Sequence, residues 1–360
     1  MRSLITALLM LIAGPALAAE PPSILLRPAQ VFDGENPTPH PGWQVLVTGH
    51  TIAAVGPSLA TPPGTRTIDL PGETLIPGMI EGHSHLFLHP YNEAKWDDQV
   101  LHEPLALRTA RAVVAANRTL MAGFTTTRDL GTEGAGYADV GLRDAIKQGI
   151  VPGPRILAAT RAIVARGAYG PKGFEPGVIV PQGAEEASGV EGIVAAVRGQ
   201  IAAGADVVKL YGDYRWGPGE PSRATFSQAE MTAAVAAAHD AGRTVAVHTS
   251  TPEGMRRAID AGADTIEHGY GGTPEIFRAM HDHGTVLCPT LAAADAQGHV
   301  RGERGGEGGS AGGDGGGGGI GAAPPGITRD RVGGGEGGAE HRSVVVHRAE
   351  DGGGAAIAVF

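Results

Sequence analysis

Cysteine is nearly absent from this chain. Cys288 stands alone among 360 residues, so no internal disulfide can staple the fold. Stability must come from a packed core, and the length is ample for one of barrel size plus a small appendage. Cys288 itself, in Thr285-Val286-Leu287-Cys288-Pro289, reads as a buried structural thiol. Positive charge is also scarce. The formal net charge is −10, which excludes a general attraction to nucleic acid or anionic lipid. Long apolar runs are missing too: the stretch Leu4 to Ala13 is too short for a comfortable membrane span. Preceded by Met1-Arg2-Ser3 and followed by Ala16-Leu17-Ala18, it reads as an export leader with a small-residue cleavage site. We expect residues 1–19 to be a signal peptide and the remainder to be periplasmic. An uncleaved anchor is the alternative.

Residues 20–73 alternate short β-type runs with Pro and Gly, among them Ile24-Leu25-Leu26, Gln44–Val47 and Thr51–Gly56. They predict a small β-sandwich-like domain. From Thr74 the rhythm changes, and strand-like segments alternate with Ala-rich helical stretches as in βα units. The strands are expected at Leu75–His85, Phe124–Asp129, Arg155–Ala159, Val207–Tyr211, Val245–His248, Thr265–His268 and Val286–Pro289. Helices are expected at Pro104–Met121, Glu185–Ala203, Ser227–Ala241, Thr251–Ala261 and Pro274–His283. Ser227-Gln228-Ala229-Glu230 fits a capping box. Gly123, Gly204, Gly242, Gly262 and Gly284 each fall where a helix would stop. Ala165 to Gly183 has no clear period and predicts a long loop, of the kind that shapes pockets in barrels. Seven strands of this type can be counted over 74–297, one fewer than a closed (β/α) barrel needs.

From residue 298 to 360 the composition breaks. This segment holds 23 of the 58 glycines and no lysine. Such text cannot bury enough apolar surface to offset ordering entropy. It reads either as a flexible tail or as a disrupted reading frame. The second is favoured, because the break falls inside a regular βα alternation where no boundary is due.

The chemistry concentrates at strand ends. His83 and His85, spaced i and i+2 on one strand, point to the same face, and two neutral imidazoles there make a seat for a divalent metal. Lys209 lies inside the apolar strand Val207-Val208-Lys209-Leu210-Tyr211, where a lysine is costly to bury unless paired or chemically altered. A lysine snorkelling to the surface is the bland reading. His248 and His268 each close a further apolar segment. Either alone would be a core histidine about as often as a ligand; the ordered set is harder to explain by packing. His239, His281 and His283 fall on helices and are expected to be solvated. His89 and His102 could line a pocket. Asp129 ends the second strand and could orient a ligand, though capping of the next turn is the simpler role.

These residues are where the chain resembles the amidohydrolase superfamily, in its exported branch related to imidazolonepropionases and Xaa-Pro dipeptidases. The matching text is Ile76-Pro77-Gly78-Met79-Ile80-Glu81-Gly82-His83-Ser84-His85, Gly123–Asp129, Val207-Val208-Lys209, Val247-His248 and Ile266-Glu267-His268-Gly269. The resemblance implies a TIM-type (β/α)8 metal-dependent hydrolase domain, here lacking its eighth strand. It implies that His83 and His85 hold one metal, that His248 and His268 hold a second, and that Lys209, carboxylated by CO2, bridges two zinc ions. A metal-activated hydroxide would then attack an amide or peptide carbonyl, with a small molecule or dipeptide as substrate.

One element of that pattern is not found. Family members carry a catalytic aspartate at the end of the eighth strand, and Asp314, Asp330 and Asp351 lie in glycine-rich text with no apolar strand before them. Three functions therefore stay open: a binuclear hydrolase of C–N bonds; a mononuclear cyclic-amide hydrolase or deaminase, with Lys209 unmodified; and a catalytically impaired product without the acid.

Overall fold

The computed structural model describes residues 22–91, 93–175, 177–291, 344–346 and 357–359. The expected leader and nearly all of the 298–360 segment lie outside these residues. The chain divides into two compact units that meet in sequence between Pro77 and Gly78.

The first unit is built on strands Ser23–Val31, His40–Pro41, Gln44–Thr48, Thr51–Gly56 and Arg66–Pro77. Ser23–Val31 runs antiparallel to Gln44–Thr48 and parallel to Arg66–Pro77. Leu26, Val31, Val45, Val47, Leu70 and Leu75 form its core. Two further strands, Val344–Val346 and Ile357–Val359, join the free edge of Arg66–Pro77, so all described strands of the unit belong to one seven-stranded sheet. The sequence gives no reason to expect a strand after residue 297. Both runs are rich in branched residues that favour strands, but three residues in glycine-rich text carry no readable period.

The second unit carries the βα alternation. Met79–Ser84, Phe124–Asp129 and Arg155–Ala158 form a three-stranded parallel sheet. Val207–Tyr211, Thr244–Thr249, Thr265–His268 and Val286–Cys288 follow in order within a six-stranded parallel sheet. The two sheets meet where Asp206 N donates to Ala158 O at 2.8 Å. Among the described residues no ladder joins Met79–Ser84 to Val286–Cys288, so the strands do not close into a barrel. Helices Gly189–Ala202, Gln228–Asp240, Pro252–Asp260 and Pro274–His283 pack on the outer face, with Ile193, Val235, Met255 and Met280 against Val208, Leu210, Val247 and Ile266.

The element expectations hold with local corrections. The capping box forms at Ser227 and Glu230. Gly123, Gly204, Gly242, Gly262 and Gly284 all adopt the left-handed backbone at helix ends. The first strand of this unit begins at Met79, after a separate strand ending at Pro77. Glu185–Ala187 is a strand, parallel to Ile163–Ala165, and the helix starts only at Gly189. Strand pairing overrides the helix preference of Glu and Ala there. Two helices were not legible, Trp96–His102 and Ala138–Lys147. The first is short, and the second follows a glycine-rich turn that masks its start. No helix among the described residues is long and apolar enough to cross a membrane.

Candidate metal centre

Strand alternation decides what faces inward. Val208 and Leu210 pack outward against helices, so Val207, Lys209 and Tyr211 face the interior. On the neighbouring strand, Ala246 pairs with Lys209 and His248 pairs with Tyr211. Val207 and Ala246 join Leu130 and Ala159 in an apolar floor, and Lys209 and His248 stand one step above it.

His83 and His85 converge from the first strand. Their Nε2 atoms are 3.2 Å apart. His83 Nδ1 is 2.8 Å from Glu267 Oε2, and His85 Nδ1 is 2.9 Å from the Gly131 carbonyl. Both partners are acceptors, so each Nδ1 donates and each Nε2 presents a lone pair. Two lone pairs head to head at this distance repel unless a cation lies between them. Tetrahedral zinc with Zn–N bonds of 2.0–2.1 Å would set its ligand nitrogens about 3.3 Å apart.

His268 completes the ring by breaking alternation. Glu267 faces inward to reach His83, so a regular strand would turn His268 away. Its φ of +74° swings it back, and its ring centroid lies 5.0 Å from that of His83 and 4.5 Å from that of His248. Positive φ in a residue other than glycine costs energy and tends to persist where function requires it. Thr290 Oγ1, 2.8 Å from His268 Nδ1, helps to hold the ring.

The electrostatics favour the neutral ligand forms. Burial, followed by the charge on Lys209, takes His83 well below the usual imidazole range and His268 down to about 3. Burial also lowers His85 and, together with His268, takes His248 well below its ordinary value. Lys209 is 1% exposed, and its Nζ has no hydrogen-bond partner. Burial pushes it down to about 8. A buried amine with no partner, amid four imidazoles, fits a lysine that is altered when the centre assembles.

All five residues expected to hold metal, His83, His85, Lys209, His248 and His268, therefore gather around one interior space. Other expectations are corrected. His89 pairs with Glu93 and Glu103, and His102 is an exposed residue facing Asp98. Cys288 is half-buried, and burial followed by Glu267 raises its thiol to about 11. It lies near His83 and Glu267, but Glu267 is already engaged by His83, Thr265 and Arg128. Asp129 accepts from Leu86 N at 3.1 Å and so ties down the chain beyond His85.

Two supporting acids were not foreseen. Glu267 bridges His83 and Arg128, at 2.8 and 2.7 Å. Its signal was a charge inside an apolar strand, the same signal that marked Lys209. Glu133 accepts from Trp96, Tyr169 and Tyr211. It sits in a glycine-rich loop and gave no signal.

A parallel-sheet unit with imidazoles gathered at successive strand ends is the frame of a metal-dependent α/β enzyme class. The amidohydrolase family model matches residues 74–301, and the chain belongs to that family, whose members generally bind divalent metals. The chain is 29% identical to a prolidase solved with N-methylphosphonate-L-proline, with a TM-score of 0.71 over 79% of this chain and 70% of that one. A Xaa-Pro dipeptidase solved with bound methionine is also 29% identical, with a TM-score of 0.69 over 77% and 69%. Ochratoxinase of Aspergillus niger is 27% identical over 61% of this chain and 48% of its own length. The chain spans about half the length of the curated relatives it matches.

Proposed function

We propose that this protein is a metal-dependent hydrolase of C–N bonds in amides, with dipeptides as the favoured substrates. His83 and His85 would hold one divalent cation and His248 and His268 a second, zinc being favoured by imidazole ligands. Lys209, carboxylated, would lie between the two. The observation that carries this reading is the Lys209 amine, fully buried without a hydrogen-bond partner in a ring of neutral imidazoles. When bound, the cations would make water nucleophilic near neutral pH and polarise a carbonyl. The chain's own residues prepare the centre. Glu267 and the Gly131 carbonyl fix the tautomers of His83 and His85, and the apolar floor limits water from below. The prolidase and dipeptidase neighbours support a small amide substrate. We also propose export to the periplasm, on the strength of the leader-like start alone.

The test is metal analysis of protein assembled with zinc and bicarbonate, beside turnover of Xaa-Pro dipeptides. We expect two ions per chain, falling to one or none in Lys209→Ala. Unchanged stoichiometry in that variant would rule out the bridge. A single ion in the unaltered protein would favour the mononuclear hydrolase or deaminase. Full metal loading without turnover of any amide would point to the impaired product.

A further inference from the structure

Glu133 is 1% exposed and lies at φ +49°, in a loop where Gly131, Gly134 and Gly136 also take positive φ. Its carboxylate accepts three hydrogen bonds: from Trp96 Nε1 at 2.9 Å, Tyr169 Oη at 2.5 Å and Tyr211 Oη at 3.2 Å. Three donors from distant parts of the chain converge on one buried carboxyl group. The arrangement meets the ring of imidazoles through one of its three donors. The connection runs through Tyr211, whose ring stacks on His248 with centroids 4.4 Å apart and planes 18° from parallel. Lys209 Nζ lies 5.5 Å from the centroid of the same ring.

The other half of the centre is addressed by the same loop. Gly131, two residues before Glu133, offers its carbonyl to His85 Nδ1. A Cβ at Gly131 would lie 3.2 Å from Glu133 Oε1 and 3.8 Å from His85 Cε1, so this glycine sits between the carboxylate and the imidazole. A strained residue persists only where its surroundings over-determine it. Here those surroundings are a helix residue, a loop tyrosine and a strand tyrosine, brought to one carboxylate.

We propose that Glu133 is a positioning residue which, by anchoring the Tyr211 phenol, holds the plane of His248 and so sets the affinity of the His248–His268 pair for its cation. This rests on the binuclear reading above. The Tyr211 ring packs against Tyr169 and Tyr214, and its hydroxyl bond to Glu133 adds a polar restraint on its tilt. Without that bond the ring can rock, and His248 loses the flat surface that aligns it.

The test uses the full chain, stripped of metal by chelator and titrated with zinc alone, for the unaltered protein and for Glu133→Gln, Tyr211→Phe and the double variant. Trp96→Phe removes a different donor to Glu133 and serves as the structural control. The expected result in Tyr211→Phe, which leaves the Glu133 charge in place, is one zinc bound as tightly as before and the other weakened about 10- to 100-fold, as is usual when support of a metal-bound histidine is lost, and Glu133→Gln should weaken that second zinc as much. The double variant should be no weaker than Tyr211→Phe, because both changes cut one path. Trp96→Phe should leave both sites tight. Equal weakening of both sites in Tyr211→Phe, additive losses, or no change in Glu133→Gln would each overturn the proposal. In the metal-free protein, the ring 15N shifts of His248 should move in Glu133→Gln. Unmoved shifts would overturn the positioning role even if zinc binding changed. An unaltered protein that takes up fewer than two zinc ions would instead sink the binuclear reading, while the His248 shifts still judge Glu133.

Discussion

At the scale of single residues, the centre depends on side chains that do not themselves face a ligand. Glu267 is fully buried and joins Arg128 to His83. Removing its charge leaves Arg128 without its carboxylate in a water-poor interior and frees the His83 ring. Glu267→Gln should therefore cost about 3–5 kcal/mol of stability, the usual penalty for breaking a buried pair. Zinc affinity should fall as well. Urea unfolding of the metal-free protein separates the two effects, and a variant as stable as the parent would show that the pair contributes nothing. The ligand candidates were legible in the sequence because each is a polar intrusion at the end of an apolar segment. Glu133 was not, because a carboxylate in a glycine-rich loop looks solvated until three distant donors are placed around it.

At the scale of elements, the strand Met79–Ser84 is positioned by a close approach just before it. A Cβ at Gly78 would fall 2.0 Å from Thr125 Oγ1 on the adjacent strand. The backbone fixes where the alanine methyl falls, and all three Thr125 side-chain atoms lie within 2.8 Å of it, so Gly78→Ala should displace the strand that carries His83 and His85. We expect a loss of about 1–3 kcal/mol, the range for overpacking, accompanied by weaker zinc uptake. Thr125 Oγ1 is itself buried without a partner, so Thr125→Ala should be neutral or slightly stabilising. Thermal melts of the two variants check both signs. Apolar period and glycine stops revealed most of the strands and helices. Glu185–Ala187 escaped because its residues favour a helix in isolation, and only the partner strand Ile163–Ala165 makes them extended.

At the scale of the whole molecule, the imidazole ring makes the metal-free protein sensitive to acid. His268 takes a proton near 6.5 in the unfolded chain but only near 3 in the fold. Between those values the unfolded state binds more protons, so stability falls as pH is lowered from about 6.5 towards 3 and is fully retained above 6.5. His83 and His248 are shifted in the same direction and add to the trend. Melting temperatures of chelator-treated protein across this window should fall steadily with acid. At pH 7, zinc at 100 times its dissociation constant should add about 2.7 kcal/mol, since only the folded state offers the site. A flat profile with acid, or no protection by zinc, would contradict a centre built from buried neutral imidazoles.

What the sequence by itself determined is the family, the βα rhythm and the five side chains that gather inside. Each of these is written in local order: a period, a stop, a polar residue at a strand end. What only the tertiary structure decided is how those side chains are held. Glu267 meets Arg128 across 139 residues, Tyr211 meets Glu133 across 78, and His268 reaches the ring only because its backbone reverses. Such contacts depend on sheet register and loop conformation, which bring distant residues together without leaving a pattern along the chain.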